Sequence, residues 1–121
     1  MRISISAIAA CCAILIPPMV SAEFKRIKSE AEFRELLTEK RLEGEGAWYF
    51  LRADGMSVGE VGNDSWVGAW VWSNGAHCSN GRIGRNPETG TICHYWEVDG
   101  DTARQLRDRG KGDVRVYLIG E

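Results

Sequence analysis

The run from Ser65 to Cys78 most constrains how this chain can fold, because it places a strand, a turn and a cysteine in succession. Its first part, residues 65–73, is rich in tryptophan and valine, which favour β-strands. Asn74-Gly75 follows directly, and both residues tolerate the positive φ angles of a type I′ turn. The run therefore predicts a two-residue β-hairpin with a definite register.

The first 22 residues are typical of a secretory signal peptide. Arg2 provides a positive start, residues 3–20 carry no charge, and residues 20–22 (Val-Ser-Ala) are small enough to precede a cleavage site. The alternative is a membrane-spanning helix, but Pro17 and Pro18 would interrupt it near its end. We therefore expect a signal peptide over 1–22.

Cleavage there would leave a single exported domain, 23–121, in the periplasm or outside the cell and without further membrane association. The whole chain carries 15 basic and 17 acidic side chains, a net charge of −2. This balance argues against a nucleic-acid-binding protein, since such domains are normally basic. Cys78 and Cys93 lie within the domain. In an oxidising compartment such a pair predicts one disulfide bond.

A capping box marks the start of a helix near the beginning of the domain. Ser29 can accept from the backbone N–H of Glu32, while the Glu32 carboxylate reaches back to the start of the helix. Phe33, Leu36 and Leu37 then fall on one face, which predicts an amphipathic helix from residue 30 to about residue 41.

Short β-rich segments separated by turn residues fill the rest of the domain. The predicted strands cover residues 47–53, 56–61, 65–73, 76–79, 91–98, 102–106 and 114–119. Sequential strands joined by short turns pair as an antiparallel meander. The sequence thus predicts an α+β domain in which an N-terminal amphipathic helix packs on a six- to seven-stranded antiparallel meander, either open or curled into a small barrel.

The hairpin register sorts the side chains of three strands into two faces. With Asn74-Gly75 as the turn, Trp72 pairs with His77, and a disulfide between opposed positions would pair His77 with His94. Alternation then places one set of residues on a common face: Trp66, Trp70, Trp72, His77, Ile92, His94 and Trp96. The other face carries Val67, Ala69, Val71, Cys78, Cys93 and Tyr95. Because both faces of 65–73 are apolar, we expect burial on both sides, or a curled sheet whose outer face the helix covers.

The tryptophan and histidine face has two interpretations. The indoles can form the hydrophobic core, since each buries about 150–250 Å². Alternatively, indoles beside two imidazoles offer a surface on which a flat or apolar ligand could stack. A metal site is disfavoured because Cys78 and Cys93 point away from the histidines, so we expect no cofactor. No serine, histidine and aspartate converge in the register, so we expect no enzymatic activity.

Two resemblances accompany these residues. Gly46-Ala47-Trp48 after a helix resembles the G-x-W opening of the lipocalins, in which the tryptophan packs at the closed end of a β-barrel. A longer stretch, 36–119, resembles small exported proteobacterial β-meander proteins of unknown function, through Asp54-Gly55, Gly68-Ala69-Trp70 and two cysteines that flank a loop. This likeness implies a periplasmic meander or small barrel and transfers no functional residues.

The preferred functional prediction is non-catalytic binding of a small, partly apolar ligand. The candidate residues are Trp66, Trp70, Trp72 and Trp96, with His77 and His94 at the rim. The alternative is a protein-interaction module, such as an exported inhibitor of an envelope hydrolase. That module would act through the disulfide-tethered loop 79–92, with Arg82 and Arg85 as candidate contacts. A cavity beside the indoles would favour the first function, and a filled interior with a protruding loop the second.

Overall fold

The computed structural model describes residues 23–121 as nine strands, one α-helix and a short 3-10 turn, and the predicted signal peptide over 1–22 lies outside the described residues. The strands are β1 Lys25–Arg26, β2 Arg41–Gly44, β3 Ala47–Leu51, β4 Met56–Val61, β5 Asp64–Ser73, β6 Ala76–Ile83, β7 Ile92–Asp99, β8 Thr102–Leu106 and β9 Val114–Ile119. Helix α1 spans Glu30–Leu37, and the 3-10 turn spans Arg107–Gly110. In residues 23–121 no helix has the length and apolar character needed to cross a membrane.

Strands β2 to β9 form a closed, eight-stranded, up-and-down barrel. Each strand pairs antiparallel with the next, and β9 pairs back onto β2 through Ile119 and Leu42. Closure leaves the barrel without a free edge. The two-residue β1 adds to the far half of β7, where Lys25 faces Val98. The predicted antiparallel meander and its curling into a small barrel are confirmed, but the predicted strand count of six to seven is wrong.

The missing strand lies where the sequence predicted the end of the helix. Helix α1 ends at Leu37, because Thr38 adopts an extended conformation and its Oγ1 donates to the carbonyl oxygen of Arg34. Glu39 has a positive φ of 59°, which turns the chain away from the helix axis. After Lys40, residues Arg41–Gly44 form β2, whose Leu42 is buried inside the barrel. A helix continued to residue 41 would remove the strand that closes the sheet.

The predicted hairpin and its register are confirmed. Asn74 and Gly75 have φ angles of 51° and 75°, as a type I′ turn requires. Trp72 pairs with His77, and His77 pairs in turn with His94. The neighbouring pair, Cys78 and Cys93, is joined by the predicted disulfide bond.

The helix covers one end of the barrel and not its outer face, so that expectation is wrong. Val67 and Val71, on the outer face of β5, are 53% and 61% exposed. Phe33 and Leu37 are instead wholly buried, and the Phe33 ring lies 5.2 Å from the Trp70 ring, which faces the interior. The interior offers these apolar side chains deeper burial than a flat outer surface could. We call this end of the barrel the helix end.

Candidate functional site

A cavity of about 90 Å³ lies inside the barrel, between the helix end and the connection between β6 and β7. We call the second end, bordered by residues 84–91 and the 3-10 turn, the loop end. Aromatic and aliphatic side chains form most of the cavity wall: Leu42, Tyr49, Leu51, Trp66, Ile83, Ile92 and Trp96. Polar side chains also reach it: Ser57, His77, Ser79, Thr89, His94, Gln105 and Arg107. An apolar cavity with a few polar groups is the usual form of a small-molecule site.

Trp66 has its position because two glycines leave room for its ring. Gly68 and Gly81 are directly opposed on β5 and β6. A Cβ atom on Gly81 would lie 2.5 Å from the Trp66 ring, and one on Gly68 would lie 2.8 Å from it. The Trp66 Nε1 group donates to Ser57 Oγ at 2.8 Å, and Tyr49 packs edge-on against the indole at 6.0 Å. The ring is therefore held against the wall beside the cavity.

His77 is a deeply buried polar residue of the cavity wall, with 3% of its surface exposed. Its Nδ1 accepts a hydrogen bond from Trp96 Nε1 at 3.1 Å. Because an indole nitrogen only donates, the proton of the neutral imidazole must lie on Nε2. Burial, and to a lesser degree the neighbouring His94, lowers the pKa of His77 from 6.5 to about 3. Its Nε2 is buried and has no hydrogen-bond partner within residues 23–121.

His94 has the same proton arrangement, reached by a different contact. Its Nδ1 accepts from the backbone N–H of Asp108 at 3.1 Å, so that the proton again lies on Nε2. Asp108 and Arg109 have positive φ angles of 51° and 53°, which shape the 3-10 turn that presents this N–H group. Burial lowers the pKa of His94 to about 4, helped by the charge of Arg107 and opposed by that of Asp108. Both imidazoles are therefore neutral donors at pH 7.

Gln105 adds an acceptor to the same wall and was missed by sequence reasoning. It lies on β8 between Trp96 and Arg115, with 7% of its surface exposed. In the described part of the chain its Oε1 is buried without a hydrogen-bond partner. The alternation of Ala103 and Gln105 on the inner face of β8 is the one sequence signal that could have indicated it.

The structure brings together four of the six predicted ligand-binding residues. Trp66, His77, His94 and Trp96 line the cavity. The other two, Trp70 and Trp72, pack under the helix against Phe33. The Trp70 Nε1 group donates to the Arg52 carbonyl oxygen at 2.9 Å, so the hydrogen-bonding group of this core indole already has a partner. The predicted partner-binding residues, Arg82 and Arg85, are exposed at the loop end.

The histidine pair is built for hydrogen bonding. A metal ion binds an imidazole through a free lone pair, but His77 and His94 each use that lone pair, on Nδ1, to accept an N–H group. Among residues 23–121 no three His, Cys, Asp or Glu side chains are placed to hold a metal ion. The arrangement offers two N–H donors to a molecule inside the barrel.

Trp48, the tryptophan of the lipocalin-like Gly46-Ala47-Trp48 segment, does not line the cavity. Trp48 faces outward on β3, where its Nε1 donates to Glu60 Oε1 at 2.9 Å and the Arg41 guanidinium lies 4.1 Å from the ring centre. It therefore does not pack inside a closed barrel end. Searches with this chain against protein-family models, curated proteins and solved structures find no match. Its function is accordingly inferred from the cavity and the polar atoms that face it.

Proposed function

We propose that this protein binds a small, partly apolar molecule inside the barrel, without catalysis. The observation that carries this proposal is the coexistence of an aromatic cavity with buried polar atoms that have no partner within residues 23–121, namely His77 Nε2 and Gln105 Oε1. Leaving such a group unsatisfied costs about 1–3 kcal/mol. A ligand that hydrogen-bonds to these atoms would recover that cost and also bury its apolar part against Trp66 and Trp96.

The interpretation of the tryptophans as core residues applies to the helix end. Trp70 and Trp72 contact Phe33 and form part of the packed interior there. Trp66 and Trp96 border open space, although both are largely buried. The two interpretations therefore hold at different depths of the same barrel, and the cavity supports ligand binding at the loop end.

The inhibitor alternative rests on the loop predicted over 79–92. Residues 79–83 of it belong to β6 and Ile92 to β7, so the exposed connection is segment 84–91. Backbone hydrogen bonds brace this segment, from Gly84 N to the Ser65 carbonyl oxygen and from Thr89 N to the Gly81 carbonyl oxygen, both at 2.8 Å. Thr89 also lines the cavity. A rigid segment at the mouth of a cavity supports a role as its rim, so we favour the ligand-binding function. The disulfide is compatible with the periplasmic or secreted location that we propose.

The test is a binding titration with small ketones, alcohols and amides, observed through the indole N–H signals of ¹⁵N-labelled protein. We expect saturable shifts of the Trp66 and Trp96 signals and a constant Trp48 signal, because Trp48 lies on the outer face. Ser79→Leu should abolish the shifts, because residue 79 faces the cavity and leucine would fill part of it.

The matched control is Ala69→Leu, which adds a leucine to the exposed outer face of β5. It should leave the titration unchanged. Both variants are first checked for a dispersed spectrum and a cooperative urea transition. Equal shifts in folded Ser79→Leu and in the wild type would contradict binding in the cavity, and so would shifts confined to Trp48.

A further inference from the structure

We infer that the cavity selects a neutral carboxamide-type ligand, in which an N–H donor lies beside a carbonyl oxygen. This inference rests on the proposed function and specifies the chemistry of its ligand. It follows from the number, type and fixed orientation of the hydrogen-bonding groups of His77, His94 and Gln105, all of which line one cavity.

The histidines require an acceptor on the ligand. Trp96 Nε1 and the Asp108 backbone N–H hold the two Nδ1 atoms, so His77 and His94 can offer only Nε2–H to the cavity. A carbonyl oxygen satisfies such donors. An ammonium group would place its own donors against them.

Gln105 requires a donor on the ligand, which separates an amide from a carboxylate. Its unpartnered Oε1 can accept an N–H group, whereas a carboxylate oxygen would be repelled by it. The imidazoles are neutral at pH 7 and supply no opposite charge, because burial lowers the pKa of both. The Arg107 guanidinium is already paired with Asp113 at 3.3 Å. A buried anion would therefore lack compensation.

The cavity volume restricts the apolar part of the ligand. About 90 Å³ is well below the ~150 Å³ of an engineered apolar cavity that accepts benzene. A short aliphatic group of one or two carbon atoms fits this space, whose apolar wall includes Leu42, Leu51 and Ile92. Acetamide combines a methyl group with a primary carboxamide, and it is the probe that we choose.

Three probes with the same acetyl body test the inference. Acetamide has an acceptor and a donor, acetone has only the acceptor, and acetate carries a charge. Titrations at pH 7 are followed through the histidine Nε2 signals of ¹⁵N-labelled protein. We expect acetamide to shift both imidazole signals and to bind about fivefold to tenfold more tightly than acetone, the value of one net hydrogen bond. Acetate should bind most weakly.

Gln105→Leu tests the origin of this preference. It removes the acceptor, so acetamide should bind no more tightly than acetone, whose affinity should not fall. The control, Thr102→Val, changes a residue on the same strand whose hydroxyl donates to the neighbouring Asp101 Oδ1, and it should preserve the preference.

Other outcomes separate the two proposals. Tightest binding by acetate, or an amide preference that persists in Gln105→Leu, would overturn the carboxamide inference and leave the proposed function intact. If Gln105→Leu does not fold, the ranking of the three probes' affinities for the wild type and the histidine shifts still test the carboxamide inference. Saturation by none of the three probes, with other small molecules still binding in a Ser79-dependent manner, would overturn the carboxamide inference alone. No binding by any small molecule would overturn both.

Discussion

The two ends of the barrel contain the same kinds of residue and differ in what covers them. At the helix end, Phe33 and Leu37 are fully buried and Trp70 satisfies its indole N–H on a backbone carbonyl oxygen. At the loop end, Trp66 and Trp96 face a cavity. An amphipathic helix brings apolar side chains that fill space, whereas the connections at the loop end bring backbone and polar groups. Trp70 thus belongs to the core and Trp66 to the candidate site, although both are largely buried, while Trp96 contributes to both.

The largest expected effect comes from a substitution in the packed interior at the helix end. Phe33→Ala removes the side chain that contacts Trp70, Trp72 and His77, so we expect a loss of about 3–5 kcal/mol in the free energy of unfolding. Urea denaturation measures this loss. The control is Phe50→Ala on the half-buried face of β3, which should cost less than half as much. Equal losses would show that the helix end is not the main packed region.

A smaller effect concerns the two buried histidines near the cavity. The pKa of His77 is lowered to about 3 and that of His94 to about 4, so the unfolded chain takes up protons near pH 6.5 while the folded protein does not. The free energy of unfolding should therefore keep its full value above about pH 6.5 and should fall on acidification towards pH 4 and below. Proton uptake by His77 in the unfolded chain should by itself lower the free energy of unfolding by about 2 kcal/mol at pH 5. Urea midpoints measured from pH 7 to pH 5 check this.

His77→Gln sharpens the test. A glutamine oxygen can still accept from Trp96 Nε1, but it does not titrate. This variant should be less stable than the wild type at pH 7 and should lose less stability between pH 7 and pH 5. An NMR titration in which His77 changes protonation near pH 6.5 would contradict the assigned burial.

A third effect lies at the loop end. Gly81→Ala places a methyl group 2.5 Å from the Trp66 ring and 2.6 Å from the Val67 carbonyl oxygen, so the ring must move toward the cavity. We expect a loss of roughly 1–3 kcal/mol and weaker binding of small molecules. Ser73→Ala, at an exposed position on the outer face of β5, is the control and should change neither property. A stable Gly81→Ala variant with unchanged binding would show that Trp66 does not form the cavity wall.

Much of the site's framework could be predicted from local pattern. The Asn74-Gly75 turn sets the pairing of β5 and β6, and the opposed cysteines extend it to His77 and His94. Strict alternation then sorts the inner and outer faces. These relations depend only on neighbouring strands, so a hairpin signal and a cysteine pair were sufficient to predict them.

Gln105 and the proton positions of the histidines could not be predicted in this way. The Gln105 side chain belongs to the site because β8 closes next to β7, and its lack of a partner within residues 23–121 depends on every side chain around it. The His94 proton is assigned by a backbone N–H group from a 3-10 turn with positive φ angles. No local sequence signal reports such long-range contacts.

The sequence by itself determined the hairpin register, the disulfide pair and the common face of the tryptophans and histidines, because strand alternation and turn chemistry act over a few residues. Tertiary structure alone decided that the helix ends at Leu37, that β2 closes the barrel and that the helix enters one end of it. Those outcomes depend on the balance between local helix propensity and the stabilisation gained when distant segments pair and bury apolar surface. The cavity is the space that this packing leaves between the two ends, so only the folded chain reveals which tryptophans face it.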